Sequence, residues 1–141
     1  MNTRFDPAYG AFVLRVALGV LFVAHAALKI FVFTIPGTVG FFASLGLPAI
    51  AAYGTIAAEL LGGVALILGL WVRPVAAVLV PVALGATWAH AGNGWLFTAP
   101  NGGWEFPALI AAATIAQVFL GAGAFALKGE DRAVYAALPA E

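Results

Sequence analysis

Seven side chains in this sequence combine chemical reactivity with apolar surroundings: Arg15, His25, Lys29, Glu59, His90, Glu105 and Gln117. A charge at mid-bilayer costs at least about 2.5–3.5 kcal/mol on insertion scales, so such groups should face a protein interior and find partners. At about 100° per residue, Arg15, His25 and Lys29 fall within roughly an 80° sector of one helix and form a polar stripe. At about 1.5 Å rise per residue, Arg15 lies roughly 9 Å in from one end, and His25 and Lys29 lie roughly 24 and 30 Å along. Glu59 sits on the next long apolar stretch, which runs the other way, roughly at mid-depth. Arg15 can reach it from below, or His25 and Lys29 from above. An Arg15–Glu59 ion pair is the natural structural lock, because arginine has the longer reach and a bidentate fork. A central carboxylate can also carry protons or bind a polar head group, which makes Glu59 the candidate catalytic residue.

His25, Lys29, His90 and Glu105 are all expected near the outer end of the molecule, ringed by Trp88, Trp95 and Trp104. Each has an ordinary explanation alone. Lys29 can snorkel to the interface, His90 can be an interfacial histidine, and Glu105 suits the positive end of a helix dipole. Together they have the make-up of a small-molecule site. Quinone binding needs an apolar cavity open to lipid, His, Lys or Glu groups at the carbonyl oxygens, and a carboxylate to move protons. The candidate quinone-binding set is therefore His25, Lys29, His90, Glu105, Trp88 and Trp104. A metal would use His25 and His90 with Glu59 or Glu105, but no HxxxH or HExxH spacing is present and that signal is weak. Transport needs a broken helix or a hydrated path, for which Pro81 is the obvious kink.

These groups need elements to position them. Of the 141 residues, 64% are hydrophobic and 9% are charged, against roughly 25% charged in a soluble domain. Mean hydropathy is +1.06. A chain this small is mostly surface and cannot hide that much apolar area from water. An all-α integral membrane protein with a single transmembrane domain over residues 1–141 is expected. Cysteine is absent, which excludes disulfides, iron–sulfur clusters and thiol redox chemistry carried by this chain. No haem, flavin or nucleotide motif is evident, and the balanced charge offers no field for nucleic acid.

A bilayer core about 30 Å thick takes about 20 apolar residues per helix. Four such stretches run from about Tyr9 to Phe33, Ala49 to Val72, Pro74 to Ala91 and Pro107 to Leu127. They predict a four-helix bundle. Thr34 to Pro48 and Gly92 to Phe106 read as long loops, with Phe41 and Phe42 on an interfacial segment. Arg4, Arg73, Lys128 and Arg132 then share one side, and the positive-inside rule makes both termini cytoplasmic. Arg4 and Ala24-His25-Ala26 mimic a secretory signal, but Arg15 interrupts the apolar run. A weak repeat pairs Ala24-His25-Ala26 with Ala89-His90-Ala91, and Leu47-Pro48-Ala49-Ile50 with Phe106-Pro107-Ala108-Leu109. It suggests two helical hairpins of like topology.

The order and spacing of several short motifs resemble the DoxX family of small bacterial membrane proteins. They are Arg15 with Gly19, His25 with Lys29, Gly46-Leu47-Pro48, Glu59 with Gly62-Gly63, Leu68-Gly69-Leu70 before Arg73, His90, Gly102-Gly103-Trp104-Glu105-Phe106-Pro107, and Gly121-Ala122-Gly123. The chain departs from that pattern at Ala26, where the family usually has Gly. It departs again at Ala122, Ala126 and Lys128, where a Gly-Pro-Gly motif usually continues toward Ser-Leu-Asp. The resemblance implies a multi-pass protein of the bacterial inner membrane associated with membrane oxidoreductases, including a thiosulfate:quinone oxidoreductase and oxidative-stress assemblies. The expected function is a quinone-interacting subunit of an oxidoreductase system. It would have lipid around it, an oxidoreductase partner, and a homo-oligomer as a further option. The alternatives are a non-catalytic anchor or scaffold subunit and, behind it, a small-molecule transporter.

Overall fold

A computed structural model describes residues 6–128 as helices joined by short connections. The first helix, α1 (Pro7–Ala27), starts where Asp6 accepts the Ala8 N–H at 2.9 Å, with Pro7 in the first turn. It continues through a π-helical turn, Leu28–Val32. Helix α2 (Ile35–Ser44) follows, then α3 (Ala49–Leu68), α4 (Val72–His90) and α5 (Glu105–Leu120). Among the described residues there are five α-helices and no strand.

Three helical stretches are long and apolar enough to cross a membrane: Pro7–Val32, Ala49–Leu68 and Val72–Asn93. Three details of the sequence reading change. The segment 34–48 is mostly helix rather than loop, because Thr34 and the proline of the first turn start α2. The third span is full length, and α4 runs unbroken through Pro81. The fourth apolar stretch stops as helix at Leu120, not Leu127. With 16 residues, α5 is about 24 Å long, short of the roughly 30 Å core.

Helix α1 packs on α3, α3 on α4, α4 on α5, and α5 back on α1, while α2 lies against α3 and the π-turn. The most extensive contacts are α1 with α3 and α4 with α5, the pairs that the two-hairpin repeat joins. Apolar and polar side chains are distributed as lipid demands. Phe31, Leu61, Val78, Leu109 and Phe119 point outward, while Arg15, Thr114 and Gln117 are fully buried. Without a hydrophobic drive between helices in lipid, close backbone packing takes over. Helices α1 and α3 cross antiparallel at Gly19 and Gly63. A Cβ at Gly19 would lie 2.7 Å from the Gly63 carbonyl oxygen, and one at Gly63 would lie 2.8 Å from that of Gly19.

Residues after α5 form a strap across the end of the bundle where α1 begins. Ala124 N–H bonds Ala8 O at 2.9 Å, Leu127 N–H bonds Leu68 O and Lys128 N–H bonds Gly69 O, both at 3.1 Å. The Lys128 ammonium lies 4.5 Å from the Trp71 ring centre, a cation–π contact at the start of α4. Arg73 and Lys128 thus share one end of the molecule. Arg4 and Arg132, used with them to orient the chain, lie outside the described residues.

Candidate functional site

Measured from the Gly19–Gly63 crossing, Glu59 is about 6 Å to one side and Arg15 about 6 Å to the other. Side chains on a helix lean toward its N-terminus. In an antiparallel pair, Arg15 therefore leans away from Glu59, whereas Lys29 and Glu59 lean toward each other. The structure follows this rule. Lys29 Nζ lies 2.9 Å from both Glu59 oxygens. The Glu59 side chain is only 7% exposed and that of Lys29 18%. The ion pair between α1 and α3 is thus Lys29–Glu59, which corrects the expected Arg15–Glu59 lock. His25, one turn before Lys29, is half-buried and close enough for a charge on its ring to act on Glu59. Its Nδ1 bonds Leu21 O at 2.8 Å, back along its own helix.

Lys29 is held by an unusual stretch of backbone. It belongs to the π-helical turn, a feature frequent at functional sites. Its carbonyl accepts the hydroxyl of buried Thr38 at 3.0 Å, tying α2 to the turn. Thr34, which starts α2, has φ 64° and ψ 159°. That region is populated almost only by glycine, and such a residue costs on the order of 1–3 kcal/mol. Thr38 was missed by the sequence reading, and so was the significance of Thr34. The signal was present in Thr34-Ile35-Pro36, a helix cap followed by proline in the first turn.

Arg15 does a different job. One terminal nitrogen donates to Leu66 O at 2.6 Å and Ile67 O at 2.9 Å, and the other to Ala124 O at 3.1 Å. The first two are carbonyls of the last turn of α3, where Leu66 O also accepts the Gly69 N–H at 3.1 Å and a cation complements the helix dipole. The third belongs to the terminal strap. Gly69 has φ 72°, and a Cβ there would meet Arg15 at 2.7 Å. Only glycine both adopts that turn and leaves room for the guanidinium. Arg73 treats α5 similarly, donating to Phe119 O at 3.5 Å.

The remaining candidates stand apart from the ion pair. His90 Nδ1 bonds Ala86 O at 2.9 Å, the same four-residue reach that His25 makes. A Cβ placed on Gly102 of the following loop would lie 3.5 Å from the His90 ring. Glu105 begins α5, and its Oε1 accepts the Phe97 N–H at 2.8 Å, closing that loop. Trp104 packs edge-on against Trp95 with ring centres 4.5 Å apart, and Trp88 is exposed. Trp95, Trp104 and Glu105 border a hollow of about 450 Å³ that none of His25, Lys29, Glu59 and His90 lines. The single outer pocket expected from the sequence is therefore two places: a compact ion-pair cluster on α1 and α3, and an aromatic hollow at the start of α5. His25 and His90 stand on helices that are not among the packed neighbours of the ring. Among the described residues no three His, Asp or Glu groups come together as a metal site would need.

Comparison with known proteins adds the family. Residues 10–92 match the DoxX family, a range that holds Arg15, His25, Lys29, Glu59 and His90. A Bacillus subtilis (strain 168) protein named "Putative oxidoreductase CatD" is 38% identical over 86 residues, 61% of this chain and 61% of that protein. A Haemophilus influenzae protein named "Uncharacterized protein" is 36% identical over 126 residues, 88% of this chain and 91% of that one. No solved structure matches. With the family match extending over more than half of its length, this chain belongs to the DoxX family.

Proposed function

We propose that the protein is a multi-pass subunit of the bacterial inner membrane that handles quinone for an oxidoreductase system, with Arg73 and Lys128 at the cytoplasmic end. The observation that carries this reading is the Lys29–Glu59 pair, with His25 beside it, buried between two membrane-spanning helices yet reachable through the partly exposed lysine. A carboxylate paired with an amine, with an imidazole nearby, can take a proton from, or return one to, a quinol oxygen. The matched relative carrying the word oxidoreductase in its name supports the same class. With no cysteine in the chain, electrons would come from a partner or a substrate. The test is binding of ubiquinone and menaquinone to the purified protein and to Glu59→Gln. Tight binding by the native chain, weakened in the variant, supports the proposal, and no binding by either rejects it.

A scaffold role is the second reading. Both Glu59 oxygens are already held by Lys29, as an assembly lock requires. On that reading Glu59→Gln lowers the yield of folded protein and leaves any quinone affinity unchanged.

A further inference from the structure

The aromatic hollow at the start of α5 does not end there. A second hollow of about 150 Å³ lies below it, between α1 and α5, bordered by Leu14, Leu18, Leu21, Ile110 and Ala113. The two share Phe106 and Leu109. Together they form one furrow along a membrane-spanning helix, open to the side. Its lower part is wholly apolar, and its upper part carries Glu105. One Glu105 oxygen holds the Phe97 amide, and no described residue bonds the other. On α1, Leu14, Leu18, Leu21 and His25 fall on one stripe at about 100° per residue. His25 stands one turn beyond Leu21 on that stripe, although it borders neither hollow; it is half-buried, its Nδ1 is bonded to Leu21 O and its Nε2 bonds no described residue.

We propose that this furrow is where an isoprenoid quinol sits. Its chain lies along the lower part, and its hydroxyl-bearing ring lies between His25 and Glu105, beside Trp104. This rests on the quinone reading above and gives it a place. A carboxylate at the head repels phosphate and carboxylate groups, but accepts a hydrogen bond from a neutral hydroxyl. Edge and face contacts of Trp95 and Trp104 suit a flat ring. From this position His25 links the ring to the Lys29–Glu59 pair.

The experiment uses the full chain in nanodiscs of zwitterionic lipid and a ubiquinol bearing a photoreactive group on its chain. Crosslinks to the Leu14–Leu21 and Ile110–Ala113 peptides are expected, and labelling of α2 or of all helices alike overturns the furrow. In parallel, Ala113→Phe fills the lower part and should weaken a decyl-chain ubiquinol about tenfold while leaving the tailless ring within about twofold. An unchanged decyl affinity overturns the placement but spares the quinone reading. If Ala113→Phe does not fold, Ala17→Phe fills the same space. Absence of any quinol binding to the native chain sinks both proposals, and an acidic phospholipid found crosslinked in the furrow sinks this one alone.

Discussion

Replacing Lys29 by Met leaves the Glu59 carboxylate buried without its partner. At the observed 2.9 Å, the charges attract by about 6 kcal/mol at an effective dielectric constant of about 20. Desolvating both ions cancels much of that, so the intact pair adds little net stability, whereas removing one partner of a buried pair costs about 3–5 kcal/mol. The Lys29 side chain keeps 18% exposure, which places Lys29→Met near the lower end, about 3 kcal/mol. Glu59→Gln is milder, about 1 kcal/mol, because the freed lysine can turn toward the interface. Lys29→Met with Glu59→Gln leaves no unpaired charge and should also cost about 1 kcal/mol. The coupling in the double-mutant cycle is then about 3 kcal/mol, at the top of the range for residues in contact. Equilibrium unfolding in mixed micelles, followed by far-UV circular dichroism, measures all four proteins. Single costs that simply add, with coupling under about 0.5 kcal/mol, refute the pairing.

Three further outcomes follow from the geometry. Arg15→Met removes three charge-assisted hydrogen bonds to carbonyls and should destabilise the protein by about 3 kcal/mol or more. Amide exchange at Ala124, Leu127 and Lys128 should rise with it, and Arg15→Lys should rescue only part, since lysine lacks the fork. Gly19→Ala places a Cβ against the Gly63 backbone and should destabilise by about 1–3 kcal/mol; Gly85→Ala, with nothing within 4 Å, should be neutral or slightly stabilising in the same unfolding assay. Glu105→Ala frees the Phe97 amide, so its hydrogen exchange should accelerate while that of α3 stays unchanged.

The membrane class and the long helices were legible because lipid imposes a simple length and composition rule on Pro7–Val32, Ala49–Leu68 and Val72–Asn93. The polar stripe of Arg15, His25 and Lys29 was legible from helical spacing. Which member took Glu59 was misjudged: depth placed Arg15 and Lys29 on equal terms, and the longer reach and fork of arginine favoured the wrong one. The lean of side chains toward the helix N-terminus separates them, and because the second stretch already read as running the other way, that rule was available from the sequence. Helix α2 was hidden by Pro36, Gly37 and Gly40, which read as loop residues although proline in a first turn favours a helix. The outer site was misjudged for another reason. Equal depth brought His25, His90, Trp88 and Glu105 to one level, but depth says nothing about which helices are neighbours. The terminal strap over residues 121–128 was invisible because its bonds join distant main-chain atoms to the ends of α1 and α3.

The contact of Gly19 with Gly63 makes α1 a lever resting on a narrow fulcrum. Lys29 is about 15 Å out on the long arm and Arg15 about 6 Å out on the short one. A tilt of about 5° swings the Lys29 end by about 1.3 Å, enough to part a hydrogen bond of 2.9 Å, and moves the guanidinium the opposite way. The two arms are thus mechanically coupled through one close backbone contact, and the same tilt displaces the Arg15 end by about 0.5 Å.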